Sequence, residues 1–70
     1  MYKFLIVIEK AKKNYSAYCP DLPGCIATGK TQEKTEANMY EAIKMHLEEL
    51  SEARKPIPRS RAISEYIVVQ

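Results

Sequence analysis

The chain has 70 residues with 11 basic and 9 acidic side chains, a net charge of +2 and 46% apolar residues. This composition excludes a disordered segment and limits the chain to one domain, and its small net charge neither requires nor excludes a nucleic acid partner. The longest apolar run, residues 4–8, is far shorter than the ~20 residues of a membrane span, and no secretory signal pattern opens the sequence. We therefore expect a cytoplasmic protein that does not enter the membrane.

A domain of this size has only a small hydrophobic core. It buries only about 60% of the surface that its unfolded chain exposes, and such domains usually rely on disulfides, a metal or another chain. The two cysteines, Cys19 and Cys25, are fewer than a disulfide scaffold normally has, and in a reducing compartment we expect free thiols. Association with other chains is the remaining source of stability.

The first half of the sequence predicts three strands. Residues 2–9 contain an apolar run too short for a helix, and alternation places Tyr2, Phe4, Ile6 and Ile8 on one face with Leu5 and Val7 on the other. Both faces are apolar, which predicts a central strand. Residues 10–14 form a basic turn, and residues 15–19 and 25–29 are the next two strands. Between them, the two prolines and the glycine of residues 20–24 predict a rigid connection.

The second half predicts one helix and a final strand. Thr31 is a good N-cap for a helix over residues 32–53, and Pro56 and Pro58 prevent its continuation. Its apolar stripe consists of Tyr40, Ile43, Leu47 and Leu50, with Ala37, Met39 and His46 beside them. Residues 65–69 then favour a last strand.

The predicted fold is therefore a single α+β domain over residues 1–70 with the order βββαβ. A three-stranded antiparallel meander is followed by one long amphipathic helix, packed on one face of the sheet, and then by the final strand. Nothing else in the chain covers the other face, which carries Leu5 and Val7. An uncovered apolar face indicates an interface. We expect a homo-oligomer, a dimer or a tetramer, with interface candidates Leu5, Val7, Tyr66 and Val68.

No set of side chains predicts catalysis. His46 is the only histidine and Asp21 the only aspartate, whereas a general acid/base or a two-metal nuclease needs several such groups in one cleft. Two cysteines and a distant histidine do not supply the four ligands of a zinc site. We therefore expect no enzyme activity, no catalytic or metal-binding residues and no cofactor.

Two basic groups leave nucleic acid binding open as an alternative. Lys10, Lys12 and Lys13 lie in the first turn, and Arg54, Lys55, Arg59 and Arg61 follow the helix. No stacking motif accompanies them, so ordinary surface charge is the favoured interpretation.

Residues 15–31, with Pro-Asp-Leu-Pro-Gly-Cys at positions 20–25 and the downstream Gly29 and Thr31, resemble the HicB family of antitoxins. Glu41-Ala42-Ile43, His46-Leu47 and residues 55–58 extend this similarity over nearly the whole chain. The resemblance implies a partial ribonuclease H-like fold without a working nuclease site. It also implies a type II antitoxin that neutralises HicA, an mRNA interferase with a double-stranded-RNA-binding-domain-like fold, by masking its RNA-cleaving surface.

A toxin that binds RNA is expected to be basic, so acidic groups here are candidates to pair with it. The candidate partner-binding residues are Asp21, Leu22, Pro23, Glu48, Glu49 and Glu52. Many HicB proteins continue into a helix-turn-helix or ribbon-helix-helix domain, whereas this sequence stops at Gln70, so direct DNA binding is not expected. The alternatives are a homo-oligomeric scaffold without a toxin, a weak nucleic acid binder and, last, a residual nuclease.

Overall fold

The computed structural model describes residues 1–70 and contains three strands followed by one helix. They are β1 (Val7–Lys10), β2 (Tyr15–Tyr18), β3 (Ile26–Gly29) and α1 (Gln32–Glu52). The strands form an antiparallel sheet in the order β1-β2-β3, and α1 packs against β2 and β3. The α+β class, the meander and the helix on one face are confirmed.

The position of the first strand differs from the prediction. β1 lies at an edge and β2 is central, because two successive hairpins give the first strand a single neighbour. The predicted alternation itself holds, since Phe4, Ile6 and Ile8 pack against the core from one side of the sheet. β1 also begins later than expected, and residues 2–6 form no ladder with β2.

Both ends of α1 are determined by local hydrogen bonds. The Lys34 N–H donates to the Thr31 hydroxyl oxygen over 3.0 Å, so Thr31 is the predicted N-cap. At the other end Arg54 adopts a left-handed φ of 57°, and the Lys55 N–H donates to the Leu50 carbonyl over 2.9 Å. This left-handed termination, with Pro56 behind it, ends the helix one residue before the predicted limit.

The core is small, and Met39 is the one apolar residue of α1 that is buried in it. The sequence had placed Met39 beside the predicted apolar stripe of the helix. Five apolar residues are buried, namely Ala17, Cys19, Leu22, Cys25 and Met39. Met39 is fully buried, whereas Tyr40 is 65% exposed. The stripe was therefore wrong by one position at its first member, although Ile43 and Leu47 do contact the core.

A close approach between β3 and α1 fixes how the helix sits on the sheet. A Cβ added to Gly29 would lie 2.6 Å from the Thr35 hydroxyl oxygen and 2.7 Å from its backbone nitrogen. Thr35 is fully buried, and its hydroxyl donates to the Thr31 carbonyl over 2.7 Å. The glycine therefore permits the first helical turn to contact the backbone of β3 directly.

The predicted final strand is not formed. Residues 55–70 adopt neither helix nor strand, since a lone apolar segment needs a neighbouring strand for its backbone hydrogen bonds. The partial ribonuclease H-like arrangement accordingly stays a prediction. No helix of the chain combines the length and the apolar character needed to cross a bilayer.

Candidate protein-binding surfaces

The connection between β2 and β3 is held together by its own backbone. The Leu22 N–H donates to the Cys19 carbonyl over 3.1 Å, the Cys25 N–H donates to the Leu22 carbonyl over 3.1 Å, and the Cys19 N–H donates to the Cys25 carbonyl over 3.2 Å. The Leu22 side chain is fully buried in the core. This arrangement explains the rigidity that the prolines and the glycine predicted, and it leaves the tip at Pro23 and Gly24 exposed.

Cys19 and Cys25 lie at the two ends of this connection as free, buried thiols. Burial raises the pKa of the Cys25 thiol, and the neighbouring Cys19 raises it further. Both effects disfavour the thiolate, which is the reactive and metal-binding form of cysteine. The pair therefore behaves as part of the core, and no three metal-binding side chains of the chain come together.

The structure gives the six predicted partner-binding residues different roles. Leu22 is fully buried, so it supports the connection from within and presents no surface to a partner. Asp21 accepts hydrogen bonds from the Arg61 and Ala62 N–H groups over 3.0 and 3.2 Å through one carboxylate oxygen. Pro23 is exposed on the tip of the connection, and three helix residues are exposed as predicted, namely Glu48, Glu49 and Glu52.

One groove brings the connection and Glu49 together. It has a volume of about 210 Å³ between β3 and α1 and is lined by Gly24, Cys25, Ile26, Ala42, Met45, His46 and Glu49. We call it the loop–helix groove. Met45 is 60% exposed beside the Glu49 carboxylate, and Ile26, 68% exposed, borders the groove from the edge strand β3 with its side chain on the sheet face away from α1. The predicted site therefore gains an apolar floor.

Sequence reasoning missed Ile26 and Met45. A usable signal was present for Met45, which stands three residues after Ala42 and four before Glu49 on the same side of a helix. His46 lines the same groove.

The two basic groups lie at opposite ends of the sheet. Lys10 pairs with Tyr15, which pairs with Gly29, so the first group lies at the end where α1 begins. The second group begins after the end of α1, which is 21 residues long, so Arg54 and Lys55 lie roughly 30 Å from the start of the helix. Lys10 also lies over the Tyr15 ring, 6.0 Å from its centroid.

The predicted oligomer residues form two separate sets. Leu5 and Val7 are half-buried on the sheet face opposite α1, whereas Tyr66 and Val68 are 102% and 90% exposed after the helix. On the open face, Val7 pairs with Tyr18 and Tyr18 with Ile26, which forms one apolar row across all three strands. Cross-strand rows of this kind hold the strands in register and offer an apolar surface to a partner.

Comparison with known proteins identifies the family. Residues 4–69 match the model of the HicB-like antitoxins of bacterial toxin–antitoxin systems. The chain belongs to the HicB-like antitoxin family. A UPF0150 protein of Synechocystis sp. is 34% identical over 64 residues, which cover 90% of this chain and 81% of that protein. A UPF0150 protein of Thermoplasma acidophilum is 36% identical over 61 residues, covering 86% of this chain and 88% of that one.

A solved structure supports the same assignment for the fold. A chain of the HicA3 and HicB3 toxin–antitoxin complex superimposes with a TM-score of 0.66 and 29% identity, covering 83% of this chain and 72% of that chain. The three strands and the helix thus occur in a protein of a known toxin–antitoxin assembly. The resemblance seen in residues 15–31 is confirmed as membership of an antitoxin family.

Proposed function

We propose that this HicB-like antitoxin binds a HicA-type mRNA interferase through the loop–helix groove and masks its RNA-cleaving surface. The proposal rests on one observation above all: the groove brings the exposed apolar side chain of Met45 and the carboxylate of Glu49 together, with Ile26 bordering it at the edge strand β3. The family and the likeness to a chain of a HicA3 and HicB3 complex make a HicA-type protein the favoured partner.

The chemistry of the groove fits a basic partner. A surface that binds RNA carries Lys and Arg side chains, and Glu48, Glu49 and Glu52 present three exposed carboxylates along one and a half turns of α1. Charges of this kind at the rim speed association and orient the partner, whereas apolar side chains at the centre supply most of the affinity. Met45 is the central anchor in this proposal, and Ile26 borders the groove at the edge of β3.

The rigid connection between β2 and β3 favours tight binding. Three backbone hydrogen bonds and the buried Leu22 side chain hold it in one conformation before any partner arrives. The tip at Pro23 therefore loses little conformational entropy when a partner binds. The mechanism is steric and electrostatic occlusion, and it requires no bond-making or bond-breaking by this chain.

Two variants separate the two parts of the proposed contact. Met45→Asp places a charge on the apolar floor, and we expect it to weaken toxin binding by at least about 2 kcal/mol, or roughly 30-fold. Glu49→Lys repels a basic partner, and we expect it mainly to slow association and to reverse its salt dependence. Glu36→Lys is the matched control, since Glu36 is exposed on the same helix outside the groove.

The measurement is co-expression with the toxin of the neighbouring reading frame, followed by pull-down, titration and an RNA cleavage assay. We expect the native chain and Glu36→Lys to form a complex and to leave the RNA intact, and Met45→Asp to fail in both. If Met45→Asp still protects the RNA, the groove is not the toxin-binding surface. If the native chain forms no complex and leaves cleavage unchanged, the antitoxin function is wrong for this pair.

A further inference from the structure

The segment after the helix carries apolar side chains that the chain itself does not cover. Ile63, Tyr66, Ile67, Val68 and Val69 are between 83% and 102% exposed. β-branched and aromatic residues of this kind favour an extended strand. An isolated strand leaves its backbone N–H and C=O groups without partners, so residues 63–70, here called the tail, require a sheet edge to pair with.

Every residue of the tail is exposed, and none of them belongs to a helix or a strand. The radius of gyration is 13.6 Å and the longest dimension is 47 Å, whereas a compact domain of this length has a radius of about 11 Å. Only six of the 70 residues are buried. The chain as it stands is therefore extended and poor in core, which is the state expected of one half of an intertwined assembly.

The outer edge of β1 is a suitable acceptor. β1 pairs with β2 on one side only, and such an open edge is a ready template for another strand. The tail and this edge also match in length, since the eight residues after Ala62 span roughly 26 Å when extended. Residues 2–10 offer an edge of nearly the same extent.

An apolar cleft lies beside this edge, where the side chains of an added strand would be placed. It has a volume of about 420 Å³ and lies between residues 2–4 and α1, lined by Tyr2, Lys3, Phe4, Tyr40, Ile43, Lys44 and Leu47. Tyr2 and Tyr40 are 61% and 65% exposed at its margin. Alternate side chains of a paired tail, Ile67 and Val69, would enter the cleft and cover both rings, and Tyr66 and Val68 would then lie on the opposite face beside Leu5 and Val7.

The position of the tail favours a second copy as the acceptor. The carboxylate of Asp21 fastens the backbone at Arg61 and Ala62. The register of β1 and β2 places this connection at the end of the sheet where β1 begins. The tail forms no strand after this point, and β1 of the same chain pairs only with β2. In a reciprocal exchange between two copies, the backbone groups of both β1 edges and of both tails find hydrogen-bond partners through one symmetric contact.

We propose that two copies of this chain exchange their tails, each tail adding a fourth strand to the outer edge of β1 of the other copy. Leu5 and Val7 of one copy and Tyr66 and Val68 of the other then meet in a single interface. These are the two sets of residues that lie apart within one chain.

The first test is the mass of the full chain by sedimentation. We expect twice the 8.0 kDa of one chain for the native protein and for the control Gln70→Asp. Ile67→Asp combined with Val68→Asp charges both faces of the tail, and we expect it to raise the dissociation constant of the dimer by more than about 30-fold. A native chain that is monomeric at high concentration, or a dimer that survives these two substitutions, overturns the proposal.

The second test distinguishes exchange from docking of the tail on its own chain. Leu5→Cys and Val68→Cys are made in separate chains, which are mixed, unfolded and refolded together. The product is then treated with a short bifunctional thiol reagent. The native Cys19 and Cys25 are only 3% and 5% exposed and are therefore protected from the reagent. We expect a covalent pair that contains one chain of each kind. The chain with both substitutions should also yield two-chain products. Linkage confined to single chains overturns the exchange, and since no toxin is present either result leaves the proposed function untouched.

Discussion

Asp21 offers a sharp test, because its sequence position and its structure assign it different roles. As the only aspartate, on an exposed turn, it was predicted to contact a basic toxin. In the structure one of its carboxylate oxygens accepts hydrogen bonds from the Arg61 and Ala62 N–H groups over 3.0 and 3.2 Å. Asp21 thereby fastens the chain after α1 to the connection between β2 and β3, about 40 residues earlier in sequence.

The magnitude follows from these two bonds. A hydrogen bond to a charged group contributes about 1.5–3 kcal/mol when protected from water, and less at a surface. One oxygen accepts both hydrogen bonds near the surface. We therefore expect Asp21→Ala to lower the free energy of local opening at residues 61–62 by about 1–2 kcal/mol. Asp21→Asn keeps an oxygen acceptor and loses only the charge, so we expect about half that effect.

Hydrogen exchange of individual backbone amides measures this directly. We expect the Arg61 and Ala62 amides to exchange roughly 5- to 30-fold faster in Asp21→Ala, and about 2- to 5-fold faster in Asp21→Asn. Amides in the middle of α1 are the internal control. Unchanged exchange at both positions in Asp21→Ala would refute the fastening role, and equal, salt-dependent losses of toxin affinity in the two variants would restore the predicted contact.

Three further predictions concern the core. Gly29→Ala places a Cβ 2.6 Å from the Thr35 hydroxyl oxygen, and we expect a loss of about 1–3 kcal/mol in urea unfolding at fixed protein concentration; a loss below about 0.5 kcal/mol would contradict the close approach. Met39→Ala removes a fully buried side chain and should cost about 2–5 kcal/mol, whereas Met45→Ala, at a 60% exposed position, should change stability by less than about 0.5 kcal/mol. The pKa of Cys25 is raised above its ordinary value of 9.0, so its contribution is complete below pH 9.0 and is lost as the pH rises through the folded pKa. The stability of the native chain should therefore fall more steeply than that of Cys25→Ala in urea titrations as the pH rises above 9.0, and parallel curves would count against this assignment.

The two proposed surfaces lie on opposite edges of the sheet. The loop–helix groove borders β3, whereas the cleft of about 420 Å³ borders the residues before β1. Exchange of tails at β1 would leave the groove accessible, so each copy of a dimer would present one toxin-binding surface. A pair of linked grooves favours retention of a dimeric or repeated partner through effective concentration.

Local sequence determined the elements of this protein. The apolar alternation of residues 4–8 identified the face that packs on the core, Thr31 marked the helix start, and the prolines and glycine of residues 20–24 marked the rigid connection. The same residues carried the resemblance to the HicB family. Such features depend on side chains a few positions apart, where backbone sterics and capping act independently of the rest of the fold.

Tertiary structure alone decided how these elements combine. An apolar run on both faces of a strand predicts cover on both sides and does not tell whether a neighbouring strand is present, so β1 was placed centrally although it is an edge. Leu22 is part of an exposed-looking turn in the sequence, yet backbone hydrogen bonds fold it into the core. The tail has the sequence of a strand and no strand beside it in its own chain. Pairing between distant segments is set by which edges are free, and neither propensity nor periodicity contains that information.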